Sequence, residues 1–358
     1  MELFIFDMDG VLLKPQGYHR ALQDTVRLAS LELGLGEAVL TNEQIAQFEA
    51  LGISSEWHSS ALCISALTLA ANSGRQTNRL DLDDLFQSIT AQPISIIPRK
   101  RGEAAITQLA ETAGIPPEAA LDHIQQSEHI HRSLTLNLFQ SMILGDEAFF
   151  HIYRKPARMQ TASYLKLYDH PVLTAAAAAS LTRWVSQPGN GAAIMTNRPS
   201  YGPDHFLGAP DAAFGAELVG LVHLPLIGYG ETSWLANQAG KPTAEVSKPN
   251  PEHALAAILT AAGWEIKASL QFISRPFKEW DPARLSDLRG SQITVFEDTP
   301  AGVIAAQAAT SLLNQIGLEI SVRKIGIAVQ PAKINALQAV GAEVSSDLNQ
   351  ALAGLNHF

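Results

Sequence analysis

The run Leu3-Phe4-Ile5-Phe6-Asp7-Met8-Asp9-Gly10-Val11, close to the N-terminus, decides how the rest of the chain is read. Four consecutive apolar residues that stop at an aspartate read as a strand buried on both faces in a parallel sheet. Asp7 then stands at that strand's carboxyl end, and Gly10 permits a sharp turn and a close backbone approach that a bulkier residue would hinder. Two carboxylates two positions apart in such a turn can hold a divalent cation, or divide the roles of nucleophile and acid. An Asp-x-Asp pattern alone does not choose between these.

Downstream of the turn the period changes. Tyr18 to Leu33, Asn42 to Leu51, Glu56 to Ala71 and Leu80 to Ile89 carry helix-period apolar patterns, and Gln92-Pro93, Ile97-Pro98 and Ile115-Pro116-Pro117 break the region into several helices. Past His170-Pro171 the pattern changes again. A helix over Val172 to Ser186 and a Pro188-Gly189-Asn190-Gly191 break lead to a strand at Ala192 to Met195. Further strands are expected at Leu218 to Leu224, Gln292 to Phe296, Lys324 to Val329 and Ala342 to Val344, with helices at Pro251 to Ala262, Pro300 to Ile316 and Ala332 to Val340. This alternation predicts βα units and a parallel sheet, to which the first strand belongs. The expected fold is therefore α/β: a Rossmann-like core from residues 1–13 and 169–358, with an all-helical insertion over 14–168. The segment 268–289, with Arg275-Pro276-Phe277 and Trp280-Asp281-Pro282, is longer than a simple helix-to-strand connection and is expected to form an extra hairpin or loop near the active face.

Composition agrees with a two-part globule. The chain has 358 residues, 46% of them hydrophobic and 17% charged, enough apolar material for sizeable cores and too little charge for a disordered chain. A formal net charge of −10 argues against a general nucleic-acid surface, which needs clustered Lys and Arg. The single cysteine, Cys63, excludes an intrachain disulfide and reads as a buried apolar side chain. Met1-Glu2-Leu3-Phe4 lacks the basic and apolar regions of a secretory leader. No apolar run approaches the roughly 18 residues of a membrane span, and the Ala175 to Ala179 tract is short. The expectation is a cytoplasmic protein with neither membrane nor nucleic-acid partners.

Polar residues recur at the other strand ends. Thr196 follows Ala193-Ile194-Met195 and precedes Asn197-Arg198-Pro199, placing a hydroxyl and the next backbone amides where open α/β sheets bind ligands. Lys248 lies in Ser247-Lys248-Pro249-Asn250-Pro251-Glu252, where Asn250 reads as an N-cap and Pro251 as the first helical residue. Glu297 and Asp298 close the strand Gln292 to Phe296 ahead of Thr299-Pro300, a second helix start.

In this order, Asp7-Met8-Asp9-Gly10, Thr196, Lys248-Pro249-Asn250-Pro251 and Glu297-Asp298-Thr299-Pro300-Ala301-Gly302 resemble the four motifs of the haloacid dehalogenase superfamily. The resemblance covers the first 13 residues and about Asp169 to Phe358; the helical insertion matches only in position, as that family's C1-type cap. It implies that Asp7 is the nucleophile and forms an aspartyl-phosphate intermediate. It implies that Asp9 is the general acid/base and lends its main-chain carbonyl to a metal, that Thr196 and Asn197 bind the phosphoryl group, and that Lys248 neutralises nucleophile and phosphate. Asp298 first and Glu297 second would hold Mg2+ with Asp7. The implied activity is a Mg2+-dependent phosphatase acting on a small phosphorylated metabolite. Asp9 disfavours dehalogenase and phosphonatase chemistry, whose family branches differ there. A sugar-phosphate mutase using the same intermediate stays open as the alternative, and a non-catalytic binding protein is the third reading.

Within the insertion, Arg20, Arg99-Lys100-Arg101, Arg154-Lys155, Trp57-His58 and Tyr153 are the basic and aromatic residues that a substrate contact would draw on. His123, His129 and His131 lie close in sequence, but positions 129 and 131 do not face each other on a helix, which argues against a metal site there.

Overall fold

The computed structural model describes the chain apart from residues 52, 54, 75–81, 94–97, 207 and 356–358, and apart from the side chains of 49, 50, 98, 99 and 119. The start of the expected helix at Leu80, the break at Ile97 and the side chain of Arg99 thus lie outside the described residues. Two compact units emerge, Met1–Pro15 joined with Asp169–Phe358, and Gln16–Tyr168.

The first unit is built on a six-stranded parallel sheet. Its strands are β1 (Glu2–Phe6), β2 (Asn190–Met195), β3 (Leu226–Ile227), β4 (Gln292–Glu297), β5 (Ser321–Ile327) and β6 (Glu343–Ser345), in the spatial order β3-β2-β1-β4-β5-β6. β1 is central: Phe4 lies opposite Ala192 on one side and Thr294 on the other, so its backbone groups find partners in both directions. Its side chains alternate between two cores. Leu3 and Ile5 join the cluster that contains helices Pro251–Ala261 and Pro300–Gln315, while Phe4 and Phe6 join the one that contains Trp184, Leu348 and Leu352. Phe4 stacks on Trp184 at 3.9 Å between centroids, and Phe6 on Phe296 at 4.7 Å. Burying a side chain of this size contributes about 1.5–3 kcal/mol, which is why four consecutive apolar residues form a two-faced strand rather than an amphipathic one.

The chain lays down β1, then β2 and β3 outward on one side, and crosses to β4, β5 and β6 on the other. The strand order therefore reverses between β1 and β4. Crevices at the carboxyl ends of such a switch point are where open α/β sheets bind ligands.

Three expectations need correction. Leu218 to Leu224 is not a strand. Helix Asp211–Leu218 ends there, Gly220 takes a left-handed φ of 73°, and the N–H of Leu221 bonds back to Ala216. The apolar residues that mimicked a strand, Leu221 and Leu224, are buried against the core from a helix C-terminal turn, and the edge strand is the short Leu226–Ile227. The segment 268–289 holds no hairpin; it finishes helix Ile266–Ile273 and then forms the 3-10 turns Phe277–Glu279 and Pro282–Leu288. Phe272, Trp280, Leu285 and Leu288 bury it in the same cluster as Leu3 and Ile5, and Arg284 lies 5.3 Å over the Trp264 ring. Asn250 occupies the N-cap position without capping: its amide donates instead to the carbonyls of Ala244 and Ser247, both at 3.0 Å, and ties the preceding loop to itself.

Where the chain leaves and rejoins this unit, Leu13–Lys14 pairs antiparallel with His170–Pro171, and the N–H of Val172 donates to Leu12 at 2.8 Å. In the second unit, Gln16–Tyr168, the regular elements among the described residues are helices. Helix Gly17–Glu32 is its centre and packs against Glu56–Asn72, Leu134–Leu144 and Tyr164–Tyr168. Cys63 is buried in this unit, and burial pushes its thiol pKa well up, so it behaves as the apolar filler expected. No described helix is long and apolar enough to cross a membrane.

Phe6→Ala should lower unfolding stability by about 3–5 kcal/mol in urea titrations, because a fully buried ring stacked on Phe296 would leave a cavity at the sheet centre; a change within about 0.5 kcal/mol would contradict the central placement of β1.

Candidate active site

The backbone brings the acids together first. The N–H of Asp7 donates to Phe296 at 2.9 Å, continuing the β1–β4 ladder one residue beyond β1. Because Phe6 lies opposite Phe296, the next residues, Asp7 and Glu297, are forced side by side, with Asp298 following. One carboxylate oxygen from each of Asp7, Glu297 and Asp298 lies within 4.8 Å of the others, and among the described residues this is the only such group able to hold a metal ion. The histidines 123, 129 and 131 contribute to none.

Two glycines leave the room for this crowding. Gly10 has φ +78°, and a Cβ there would fall 2.4 Å from Asp298 Oδ2; a Cβ on Gly302 would fall 1.7 Å from Glu297 Oε1.

Two ammonium groups answer the three carboxylates. Lys248 Nζ donates to Asp7 Oδ1 at 2.8 Å and to Glu297 Oε1 at 2.5 Å, and its side chain is only 4% exposed. Lys333, in the first turn of helix Pro331–Ala339, pairs with Asp298 Oδ2. Burial raises the pKa of Asp7 well above the usual carboxylate range, and Glu297 adds to this while Lys248 opposes it. Burial raises Glu297 as well, against the pull of Lys248, and raises Asp298 against the pull of Lys333. For Lys248 burial works against the charge, but Asp7 and Glu297 outweigh it and hold the pKa above the ordinary lysine value. Beneath it, His253 is fully buried and donates from Nε2 to the Ile227 carbonyl at 3.0 Å; burial and the Lys248 charge push its pKa down to about 3, so the ring is neutral.

Asp9 turns elsewhere. Its carboxylate is gripped by Arg198, with Nε at 3.0 and 2.9 Å from the two oxygens, and Arg198 Nη2 also reaches Asp169 Oδ2 at 2.8 Å. Arg198 and Asp169 are buried. Thr196 ends β2, its N–H bonded to Ile227 at 3.0 Å, and its hydroxyl oxygen accepts the N–H of Arg198 at 3.1 Å. Asn197 is exposed beside it. Behind this loop, buried Glu231 accepts from the Ser200 hydroxyl and from the Gly228 N–H at 2.8 Å, while the Gly230 N–H donates to Ser200 Oγ at 2.9 Å. Burial raises the Glu231 pKa against those bonds.

The structure thus gathers Asp7, Lys248, Glu297 and Asp298, keeps Thr196 and Asn197 at the neighbouring strand end, and holds Asp9 in an ion pair. Sequence reasoning missed Arg198, Asp169, Glu231 and Lys333. Lys333 was within reach of it, as a cation just after an expected strand end; Arg198 and Asp169 are partners across 29 positions that no local pattern links. In the helical unit, the basic residues singled out have local roles. Arg20 pairs with Asp24 at 3.1 Å, Lys100 with Glu103 at 2.5 Å, Arg101 donates to the Leu51 carbonyl at 2.6 Å, and Arg154 takes the left-handed C-cap of helix Asp146–Tyr153.

No protein-family model matches the chain, and no curated protein matches it. Among solved structures, an X-ray structure from the Northeast Structural Genomics Consortium is similar over 100% of both chains, at 16% identity and a TM-score of 0.66. Phosphatase Tt82 from Thermococcus thioreducens is similar over 94% of this chain and 99% of its own, at 13% identity and a TM-score of 0.46. A haloacid dehalogenase-like hydrolase from Streptococcus pneumoniae is similar over 99% and 97%, at 12% identity and a TM-score of 0.38. The first likeness concerns the fold and extends over the whole chain. That fold, a parallel sheet whose first strand is followed by an inserted helical unit, is the one the four motifs imply.

Lys248→Met should cost about 3–5 kcal/mol at neutral pH, because it strands buried carboxylates without their countercharge. Measured by urea unfolding, the loss should shrink as the pH is lowered, because acids with raised pKa values take up protons first; a loss that grows on acidification would contradict this account of the charge balance.

Proposed function

We propose that the chain is a Mg2+-dependent phosphatase of the haloacid dehalogenase superfamily that hydrolyses a small phosphorylated metabolite through an aspartyl phosphate on Asp7. The observation that carries this reading is the buried ammonium of Lys248 shared by Asp7 and Glu297, with Asp298 beside them, at the sheet's switch point. A phosphate monoester is doubly negative, and a carboxylate nucleophile is repelled by it. Countercharge is therefore the first requirement, and one opposite unit charge at about 4 Å contributes roughly 4 kcal/mol at an effective dielectric near 20.

The donor set fits Mg2+: the grouped atoms are all hard carboxylate oxygens, two of them from Asp7 and Asp298. Glu297 has both oxygens engaged, Oε1 by Lys248 and Oε2 by the Thr299 hydroxyl at 3.2 Å, which favours Asp298 as the ligand and Glu297 as a support. When bound, the cation supplies positive charge against the phosphoryl oxygens. In this reading Lys248 holds Asp7 with one oxygen fixed, and the other attacks phosphorus in line, breaking the bond to the leaving oxygen. The Thr196 hydroxyl, whose oxygen already accepts from Arg198, turns its proton to a phosphoryl oxygen, and Asn197 stands at the same strand end. Asp9 protonates the leaving oxygen and later takes a proton from water as it attacks the acyl phosphate. In the structure the Asp9 carboxylate is held by Arg198, a contact it would give up on turning to the leaving oxygen.

Purified protein with Mg2+ should release inorganic phosphate from members of a phosphorylated-metabolite panel, and Asp7→Asn should abolish release. Asp9→Asn should lower turnover of alkyl phosphates by about 10²–10⁴-fold and of p-nitrophenyl phosphate far less, since nitrophenolate leaves without a proton. No turnover across the panel would sink the phosphatase reading, and isomerisation of a sugar phosphate with little free phosphate would replace it by the mutase alternative.

The raised acids also fix the sign of a pH effect. A carboxyl raised in the folded state binds a proton that the unfolded chain has released, so its contribution to stability is present at low pH and lost as pH rises through the raised range. Mg2+ competes with those protons. At a hundredfold excess over its dissociation constant it should stabilise the protein by about 2.7 kcal/mol. At a fixed Mg2+ concentration, thermal shifts should be larger at pH 8 than at pH 5.5; the reverse order would refute the assignment.

A further inference from the structure

The three grouped carboxylates are already countered by ammonium groups, and the two lysines differ in how firmly they are held. Lys248 is 4% exposed and grips two carboxylates from a loop tied by Asn250. Lys333 has a side chain 48% exposed, stands in the first turn of a helix, and reaches Asp298 alone among the grouped acids. Its target is not a surface acid. Asp298 is buried, and the oxygen Lys333 occupies, Oδ2, is the one for which Gly10 makes room. A divalent cation drawn to Asp7 and Asp298 therefore meets a cation already in place on a flexible, solvent-facing stem.

We propose that Lys333 is a tethered counterion that occupies Asp298 in the metal-free protein, is displaced when a divalent cation binds, and so sets the affinity of the site. This rests on the reading of Asp7 and Asp298 as cation ligands. Lys248 cannot take the same part, because moving it would strand both Asp7 and Glu297 in a buried setting. Lys333 can leave cheaply, since a half-exposed ammonium regains water as it withdraws. The arrangement keeps Asp298 from standing uncompensated in the metal-free site, at the expense of weaker cation binding.

The test is an equilibrium Mg2+ titration, read by thermal shift without any substrate, on the wild type, Lys333→Met, Lys333→Gln and Lys333→Arg. Removing the charge should tighten Mg2+ binding about five- to tenfold in both neutral variants, the Gln variant guarding against a folding defect peculiar to Met. Lys333→Arg, which keeps the charge, should stay within about twofold of the wild type. In EDTA the neutral variants should melt below the wild type, and saturating Mg2+ should close that gap. Equal or weaker Mg2+ binding in the neutral variants overturns the inference and leaves the phosphatase reading standing. Absence of Mg2+ binding in all four proteins overturns the inference together with the metal site on which it rests.

Discussion

Two adjacent strands of this protein end in acids that their register sets face to face, and a buried lysine makes that tolerable. Phe6 lies opposite Phe296, so the residues that follow, Asp7 and Glu297, emerge at neighbouring strand spacing, about 4.8 Å. Like charges so close and so buried would repel each other and resist ionisation. The ammonium of Lys248, bonded to both, offsets that repulsion from a loop that Asn250 folds onto itself. The site is therefore a property of the sheet: moving either strand by one residue would separate the acids and leave Lys248 without its pair.

A second constraint acts two positions along. Asp9 follows the same strand but points to Arg198 and through it to Asp169, forming a separate ion network in the same unit. Two acids within three residues thus live in different electrostatic surroundings, one against an ammonium it shares with another acid, the other against a guanidinium. In the proposed reaction these two surroundings would serve two different roles, one for the nucleophile and one for the acid.

Much of this could be read from the chain, and what could not has a physical pattern. The central strands β1 and β2 were legible because burial on both faces writes them as short apolar runs, and β4 because Ile293, Val295 and Phe296 flank a single Thr294; the candidate site residues sit at the ends of those runs. β3 was misplaced because Leu221 and Leu224 are apolar for a different reason: they plug the core from a helix turn, and a strand's alternation and a turn's plug look alike in one dimension. The length of the segment after Ile273 reads as an extra hairpin or loop, whereas Trp280 and Leu285 show that its 3-10 turns are packed core. Arg198, Asp169 and Lys333 escaped because a charge reveals its purpose only through its partner, and the partners are supplied by the fold.

The antiparallel pairing of Leu13–Lys14 with His170–Pro171 does more than mark where the chain departs and returns. With Val172 bonded to Leu12, and the Asn349 amide bonded to the Val172 carbonyl at 3.0 Å, it joins, within the sheet unit, the two points where the chain leaves for and returns from Gln16–Tyr168. From the standpoint of the sheet, the whole helical unit is then a single closed loop whose length hardly matters. Loop-closure entropy rises only logarithmically, so doubling the insertion would cost the sheet about 0.6 kcal/mol. By this count the length of the insertion costs the sheet little, while the spacing between Asp7 and Glu297 is set by strand register within the sheet unit itself.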